Sequence, residues 1–290
     1  MKARNETTAP HDKKRRRFLR NGLLALGGLI SVDGLVLEPN LLTVETLILE
    51  SERLPSGAKL RLVQLADLHI GRLGDFHRHV VDRIASLRPD LILHTGDYLE
   101  ERRNIREVLQ FLARLQGIAE SYAVQGNWEY WSRLEGDNLR RKFAARGVRL
   151  LIDEAADFLK GGIRLRILGL DYPSTADSLR RLADRADRRA FNLLLSHVPA
   201  FEHRLLGPDI GLILSGHTHG GQIRVPLLPP LYLPRYSGRF IAGHYRVGLH
   251  DTPLYVSRGL GASVLPLRIN CRPELTLIEL RGTAPSQSTA

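Results

Sequence analysis

Residues 210–220 read IGLILSGHTHG, an apolar run followed directly by a glycine and two histidines. A short run rich in Ile and Leu and bounded by glycines predicts a buried β-strand. His217 and His219 are two residues apart, so in an extended chain both side chains would lie on the same side. This stretch therefore predicts a strand with a pair of potential metal ligands at its C-terminal end.

Four further apolar strands of the sequence also end in polar residues. They end in the segments DLH (67–69), GD (96–97), GN (126–127) and SH (196–197). Asp67, Asp97 and Asn127 are each 30 residues apart, about the length of one βαβ unit. Because ligand sites of α/β proteins lie at the C-terminal ends of the strands, we expect these side chains to meet in one site.

The rest of the chain alternates predicted strands with predicted helices. Helical spacing of apolar residues is found in the segments 75–87, 104–116 and 135–146. Apolar strand segments occur at 43–50, 60–69, 89–97, 121–127, 148–152, 163–170, 190–197 and 210–220, with short strands through 222–281. A first half rich in βαβ units, followed by additional strands, predicts one α/β sandwich domain.

Composition limits the classes of function. The chain has 290 residues, of which 43% are hydrophobic and 25% charged, as in an ordinary globular protein. Its net charge is +11, but residues 1–20 contribute +6 of this, and no later run of Lys and Arg is interleaved with aromatic residues. Nucleic-acid binding is therefore not expected. The single cysteine, Cys271, excludes an intrachain disulfide and a cysteine-based metal cluster.

The N-terminal segment has the pattern of an export signal. Residues 13–30 read KKRRRFLRNGLLALGGLI, a basic block followed by an apolar stretch that is shorter than a membrane span of about 20 residues. Residues 15–20, RRRFLR, resemble the twin-arginine export motif. The alternative is a basic amphipathic tail on a cytosolic protein. Asp33 interrupts the apolar run and no clean A-x-A cleavage site follows, so two outcomes stay open: cleavage of the leader, or its retention as a membrane anchor.

The predicted organisation follows from this leader. We expect a signal or anchor segment at 1–40, a catalytic domain at 41–282 and a flexible tail at 283–290. The predicted location is the periplasm or the outer face of the cytoplasmic membrane. The expected partners are the twin-arginine export machinery and, through the N-terminal segment, the membrane surface.

The polar strand ends have the chemistry of a metal site. Together they contain two carboxylates, one carboxamide and three or four imidazoles. Gathered without a cation, the carboxylates would repel each other and be strongly desolvated. A mixed nitrogen and oxygen ligand set suits Mn, Fe or Zn better than Mg or Ca. Two such ions can activate water and stabilise the charge that develops in phosphoryl transfer.

The order of these motifs resembles the calcineurin-like metallophosphoesterase family, whose pattern is Asp-x-His, Gly-Asp, Gly-Asn-His-(Asp/Glu), a lone His and Gly-His-x-His. The resemblance covers roughly residues 58–260 and implies a four-layer αββα sandwich with two divalent metal ions. By this resemblance, the ligands of one ion are Asp67, His69, Asp97 and His219. Those of the other ion are Asp97 as the bridging residue, Asn127, His197 and His217.

The export leader and the segments LEPN (37–40) and SRGLG (257–261) resemble a membrane-associated bacterial branch of this family, the one that contains YaeI- and YkuE-type phosphodiesterases. Some relatives of that branch cleave the pyrophosphate of a lipid A precursor. The resemblance implies metal-dependent hydrolysis of a phosphodiester or pyrophosphate bond, in a small-molecule or lipid substrate. The predicted catalytic residues are Asp97, Asn127 and Trp128.

Trp128 is where the sequence departs from the family pattern, which has a histidine after the asparagine. An indole N–H can donate a hydrogen bond but offers no usable proton. Three interpretations remain open. The substrate has a good leaving group and needs no acid, another histidine such as His94 or His203 substitutes, or the protein is a catalytically silent metal-binding interaction module.

The segment PLLPPLYLPRY (226–236) follows the last histidine motif closely. Its leucines and prolines would form an apolar lip for a lipid tail. The alternative is a proline-rich loop packed against the rest of the domain.

Overall fold

The computed structural model of the chain describes residues 33–284. The predicted leader up to residue 32 and the last residues of the predicted tail lie outside this range, so the leader, the tail and the domain boundaries stay predictions. Within the described range, no helix has the length and apolar character needed to cross a membrane.

Twelve strands are found in the described range. In chain order they are β1 (Thr43–Ser51), β2 (Lys59–Leu65), β3 (Leu91–His94), β4 (Glu120–Ala123), β5 (Val148–Leu150), β6 (Glu154–Lys160), β7 (Ile163–Leu170), β8 (Phe191–Ser196), β9 (Ile210–Ser215), β10 (Gly243–Val247), β11 (Thr252–Val256) and β12 (Glu274–Gly282). They form two six-stranded sheets, one in the order β1-β12-β2-β3-β4-β5 and the other in the order β10-β11-β9-β8-β7-β6.

The α-helices of the described range are α1 (Asp75–Leu87), α2 (Ile105–Leu115), α3 (Asn127–Trp131), α4 (Gly136–Ala144) and α5 (Ala176–Ala183). Three of these segments were predicted from apolar spacing, and α1 begins and ends at the predicted residues. Three elements have no counterpart in the predictions: β6, α3 and α5. The segment at 126–131 reads as a turn from its Gly-Asn pair, but in the structure it is the short helix α3.

Three apolar clusters separate four layers. Leu62 of β2 and Leu193 of β8 belong to a cluster formed by both sheets. Val63, the next residue of β2, packs instead with side chains of α1, α2 and α4. Leu194 of β8 packs with Leu179 of α5 in a third cluster. Because both faces of the central strands are buried, these strands are continuous apolar runs. The predicted four-layer αββα sandwich is confirmed.

Strand order explains why the polar strand ends meet. Strands β2, β3 and β4 are parallel neighbours in the first sheet, and β8 and β9 are parallel neighbours in the second. Their C-terminal ends therefore lie along the same edge of the sandwich. Residues 257–261 leave β11 of the second sheet and cross to the first, where Leu260 donates its N–H to Ala66 O at 3.0 Å and Gly261 donates to Asp67 O at 2.7 Å.

Candidate metal centre

The structure brings together all seven side chains that the sequence analysis proposed as metal ligands. Ligand atoms of Asp67, His69, Asp97 and His219 form one group, and those of Asp97, His197 and His217 form a second, with all atoms of a group within 4.8 Å of one another. Asn127, the first residue of α3, adds its amide oxygen at 3.0 Å from His197 Nε2. All seven residues are buried.

Asp97 is the residue that joins the two groups. Its Oδ2 lies 3.2 Å from His197 Nε2 and 3.6 Å from His69 Nε2. On one side, His69 Nε2 and His219 Nε2 face each other at 3.1 Å. On the other, His217 Nδ1 lies 3.1 Å from His197 Nε2. One carboxylate thus contacts imidazoles of both groups, as a bridging ligand would.

The backbone at the site is not extended, although the sequence analysis expected extended chain at the pair Asp67 and His69 and at the pair His217 and His219. Asp67 has φ 49° and His69 φ 42°, and His217 and His219 have φ 72° and 52°. Asp97 is also left-handed, with φ 56°. Left-handed conformations cost free energy in residues other than glycine and cluster at functional sites. The side chains of each pair converge because of these local reversals rather than because the chain is extended.

Hydrogen bonds outside the cluster fix the orientation of the ligands. His197 Nδ1 donates to Thr95 O at 2.8 Å, and His217 Nε2 donates to Arg235 O at 2.7 Å. Because one ring nitrogen donates to a carbonyl, the other faces the cluster, where after loss of any proton it would offer its lone pair to a metal ion, the usual arrangement of a metal-binding histidine. Both carboxylate oxygens of Asp67 accept from the backbone N–H of His217, at 2.8 and 3.0 Å.

Buried carboxyl groups in the cluster are stabilised in their charged form by nearby positive charge. Burial, the largest single effect, would raise the pKa of the Asp97 carboxyl, but His197, His69 and the backbone N–H of Trp128 together outweigh it and hold that pKa well below its usual range. Burial lowers the pKa of His197, yet Asp97 and Asp67 together raise it to about 9. Burial lowers the pKa of His69 to about 4, so this ring is a neutral lone-pair donor. Without a cation, the protonated ring of His197 lies beside the Asp97 carboxylate, and burial raises the pKa of the Asp67 carboxyl to about 7.

These residues fit a pair of divalent ions. His69 Nε2 and His219 Nε2 face each other at 3.1 Å, and Nδ1 of both rings is buried without a hydrogen-bond partner. A hydrogen bond between the two Nε2 atoms uses the lone pair of one ring only, whereas a cation would accept a lone pair from each. Ligand protonation competes with metal binding, so ions that enter this cluster would displace its protons. The donor set of imidazoles, carboxylates and one amide suits borderline transition ions.

Glu129 is a functional residue that the sequence analysis did not single out. Its buried carboxylate accepts three backbone N–H groups: Asp97 at 3.0 Å, Tyr98 at 2.8 Å and Gly126 at 2.7 Å. Burial, reinforced by Asp97, raises the pKa of Glu129 to about 7. The carboxylate ties the loop after β3 to the start of α3, and its signal was the acidic position of the family's Gly-Asn-His-(Asp/Glu) motif.

Two glycines let backbone segments approach the cluster. A Cβ at Gly126 would lie 2.6 Å from the backbone nitrogen of Asp97. A Cβ at Gly259, where φ is +70°, would lie 2.7 Å from Asp67 Cβ. Side chains at these positions would push apart the loops that present the two carboxylates.

Arg268 stabilises the segment 257–261 through hydrogen bonds, and the sequence analysis did not single it out. Its guanidinium is buried and donates to the carbonyls of Arg258, Gly259, Gly261 and Cys271. The nearby Arg258 is occupied by ion pairs, at 2.7 Å to Glu45 and 3.1 Å to Glu274. The buried guanidinium holds the segment whose N–H groups bond to the backbone at Ala66 and Asp67.

Trp128 contacts both the bridging carboxylate and a ligand of the first group. Its backbone N–H donates to Asp97 Oδ1 at 2.9 Å. Its indole lies edge-on to the His69 ring, with centroids 5.3 Å apart, and next to the Trp131 ring at 5.4 Å. Trp128 is half-buried and Trp131 is 66% exposed, so the two indoles form a wall at the edge of the cluster.

The two histidines considered as substitutes for an acid make their contacts with residues outside the cluster. His94 is buried beside Tyr98, with ring centroids 6.0 Å apart, and burial lowers its pKa to about 3. His203 Nε2 donates to Pro199 O at 2.9 Å, and its ring packs against Phe201 and Phe240. His94 is therefore neutral near pH 7, and these contacts do not direct His203 to the cluster.

Two cavities adjoin the cluster. The first, of about 260 Å³, includes His197 in its lining together with Asp171, Tyr172, Glu202 and Tyr236. The second, of about 330 Å³, includes His219, and apolar side chains form much of its wall. A substrate whose phosphorus lies at the cluster would therefore have space on both sides.

A two-sheet α/β sandwich with buried Asp, His and Asn side chains gathered at its strand ends has the architecture of a metal-dependent hydrolase. Residues 60–221 match the family model described as calcineurin-like phosphoesterase. The chain belongs to this family, as the order of its motifs predicted, and its class is that of metal-dependent phosphoesterases.

Similar proteins come from several organisms. The chain is 30% identical over 289 residues to the uncharacterized metallophosphoesterase YkuE of Bacillus subtilis, covering 93% of this chain and 98% of that protein. It is 30% identical over 231 residues to the phosphodiesterase YaeI of Escherichia coli, covering 78% and 83% of the two chains. Among solved structures, the NAD nucleotidase NadN of Haemophilus influenzae has a TM-score of 0.49 at 16% identity, over 71% of this chain and 46% of that one.

Proposed function

We propose that this chain hydrolyses a phosphodiester or pyrophosphate bond with the help of two divalent ions, Mn, Fe or Zn. The observation that carries the proposal is the convergence of six buried Asp and His side chains into two groups that share Asp97, with the amide oxygen of Asn127 beside His197. Bound ions of this kind lower the pKa of water and neutralise charge on phosphoryl oxygens. The similar YaeI protein of Escherichia coli is named a phosphodiesterase, which supports the same class of reaction.

The chain's own residues orient these ligands. Glu129 accepts three backbone N–H groups and so connects the loop of Asp97 to the start of α3. The bridging carboxylate and Asn127 therefore keep a constant spacing. The carbonyls of Thr95 and Arg235 hold the rings of His197 and His217. A prearranged set of ligands does not have to reorganise during the reaction, which is the main source of electrostatic catalysis.

The leaving group is proposed to be one that departs without a proton. Trp128 stands where the family pattern has a histidine, and its indole N–H is not an acid. The ring of His94 is neutral and buried, with a pKa of about 3. General acid catalysis is worth about 10²–10⁴-fold, so a substrate that needs it would react slowly. A phosphate released from a pyrophosphate, or an aryloxide, does not need it.

The proposed setting is the outer face of the cytoplasmic membrane, on a substrate with a lipid arm. The leader sequence RRRFLR at 15–20 supports export by the twin-arginine route. The segment 226–236 supports an apolar substrate arm, because Leu227, Leu228, Leu231 and Tyr232 are exposed rather than packed against the domain.

A catalytically silent metal-binding interaction module of the same fold is the second candidate, and the replacement of a histidine by Trp128 is the observation that favours it. The test is turnover of bis(p-nitrophenyl) phosphate by protein loaded with Mn, Fe(II) or Zn. We expect this diester to be cleaved at least 10²-fold faster than a simple alkyl phosphate, in line with the value of general acid catalysis. Absence of turnover with all three metals, in protein shown to contain two ions, would favour the silent module.

A further inference from the structure

The two cavities beside the cluster differ in chemistry. The cavity at His197 has a mixed lining, in which two carboxylates, Asp171 and Glu202, and two tyrosines stand among apolar residues such as Leu179, Val198 and Phe201. The cavity at His219 is lined by Ile223, Leu231, Tyr232, Pro234, Val264 and Leu265, with Thr218, Gln222 and Ser263 as polar members. Among the described residues, no Asp, Glu, Lys or Arg side chain lines this second cavity. His197 and His219 belong to different ligand groups, so the cavities adjoin different parts of the cluster.

The segment 226–236 takes part in both cavities. Leu231, Tyr232 and Pro234 line the apolar cavity at His219, whereas Tyr236 lines the cavity at His197. Between them, Arg235 O accepts a hydrogen bond from His217 Nε2 at 2.7 Å. The segment is therefore attached to a ligand of the cluster at the point where it passes from one cavity to the other.

The opposite wall of the apolar cavity is held in place by Gln222. Its Nε2 donates to Ser263 O at 3.2 Å and to Leu265 O at 2.9 Å, and its Oε1 accepts from the N–H of Ser263 at 2.9 Å. These three bonds fix the segment 263–265 against the turn that carries His219. The cavity is thus formed before a ligand enters, as small-molecule sites usually are.

Apolar side chains on both walls remain open to solvent. Leu231 is 69% exposed and Tyr232 71% exposed on one wall, and Val264 is 78% exposed and Leu265 53% exposed on the other. Grouped apolar side chains that stay exposed beside a site mark a surface that a ligand covers. A hydrocarbon chain would bury them, whereas the other cavity places the carboxylates of Asp171 and Glu202 among its apolar residues and is a poorer site for such a chain.

We propose that the cavity formed by Leu231, Tyr232, Val264 and Leu265 beside His219 binds a hydrocarbon chain of the substrate. The inference rests on the proposed function, since the phosphoryl group of the same molecule lies at the cluster. The polar substituent of the phosphorus then points towards the cavity at His197. The substrate class is an amphipathic phosphoester with one hydrocarbon arm.

Calorimetric binding of n-alkylphosphonates, from methyl to octyl, to the manganese-loaded full chain tests the cavity without turnover. We expect the Kd to fall about fourfold for each added methylene until the cavity is filled, from the free energy of burying a methylene group. Leu231→Asp should remove this dependence. The matched control is Leu249→Asp, because Leu249 is 72% exposed in the turn between β10 and β11.

A Kd that does not change with chain length, or equal loss of the dependence in both variants, would overturn the inference. The hydrolysis of bis(p-nitrophenyl) phosphate, measured on the same samples, tests the proposed function separately. A chain-length-dependent Kd without any hydrolysis would support the cavity and contradict catalysis. Hydrolysis with a flat Kd would support catalysis and contradict the cavity.

Discussion

Trp128 holds Asp97 through its backbone, with the N–H donating to Oδ1 at 2.9 Å, while its side chain lies 5.3 Å from the ring of His69. The contact to the bridging carboxylate does not depend on which side chain residue 128 carries. A change from histidine to tryptophan therefore leaves the ligand set in place and alters only the group beside the cluster. This separation explains how metal binding and proton donation can change independently in one fold.

Trp128→His should restore an acid at the edge of the cluster. We expect cleavage of alkyl phosphodiesters to rise by about 10²–10⁴-fold and cleavage of bis(p-nitrophenyl) phosphate to change little, because an aryloxide leaves without a proton. The measurement is kcat/KM for both substrates at equal metal content. Trp131→His is the control, since Trp131 is 66% exposed and stands one helical turn further on. An equal gain in both variants would contradict the assigned position.

Asp97→Asn should remove metal and activity together. Asp97 contacts His197 at 3.2 Å and His69 at 3.6 Å, so a neutral amide at this position weakens both ion sites. We expect fewer than two ions per chain by emission spectrometry and at least a 10²-fold loss of hydrolysis. The control is Asp157→Asn, a surface residue paired with Arg166. Full metal content and activity in Asp97→Asn would refute the bridging role.

Glu129→Gln should destabilise the fold around the site. The carboxylate accepts three backbone N–H groups, and a glutamine amide offers one oxygen acceptor and turns an N–H₂ group towards the remaining donors. An unsatisfied buried donor costs about 1–3 kcal/mol, so we expect the free energy of unfolding to fall by about 2–4 kcal/mol in urea titrations. Glu101→Gln, at an exposed ion pair with Arg103, should change it by less than about 1 kcal/mol. An equal loss of unfolding free energy in Glu129→Gln and Glu101→Gln would contradict the stabilising role assigned to Glu129.

Stability should depend on pH through His94. Burial lowers its folded-state pKa from 6.5 to about 3, so the folded ring stays neutral while the unfolded ring takes up a proton. The stabilisation is therefore complete above pH 6.5 and is lost as the pH falls towards 3, by up to about 1.4 kcal/mol per pH unit. His94→Leu should flatten this part of the curve in urea titrations of chelated protein between pH 7 and 5. If the free energy of unfolding changes with pH equally in the parent protein and in His94→Leu, the role assigned to His94 is wrong.

Replacement of Arg15 and Arg16 by lysine should keep the protein in the cytoplasm if the leader is a twin-arginine signal. The change preserves charge and removes only the arginine pair of the motif. The matched control replaces Lys13 and Lys14 by arginine, and this change should not reduce export. The measurement is cell fractionation followed by immunoblotting. Export of the lysine variant at the level of the parent protein would contradict the signal.

Much of the fold was predictable because burial on both faces leaves a plain pattern in the sequence. The strands at 43–50, 163–170 and 210–220 and the helix at 75–87 follow from apolar runs and helical spacing. Strand β6, whose sequence EAADFLK mixes charged and small residues, carries no such pattern and is specified by its pairing with β7. Helix α5 (ADSLRRLA) is short and largely polar, and its two buried leucines are understandable only against the second sheet.

The sequence by itself determined which atoms are available for the metal site and which strand ends carry them, because residue type and apolar pattern are local properties. Tertiary structure alone decided the left-handed backbone at Asp67 and Asp97, the three bonds of Glu129 and the buried guanidinium of Arg268. It also decided that Leu231 and Val264 line one cavity. These features depend on contacts between residues far apart in the chain, and such contacts exist only once the two sheets have packed.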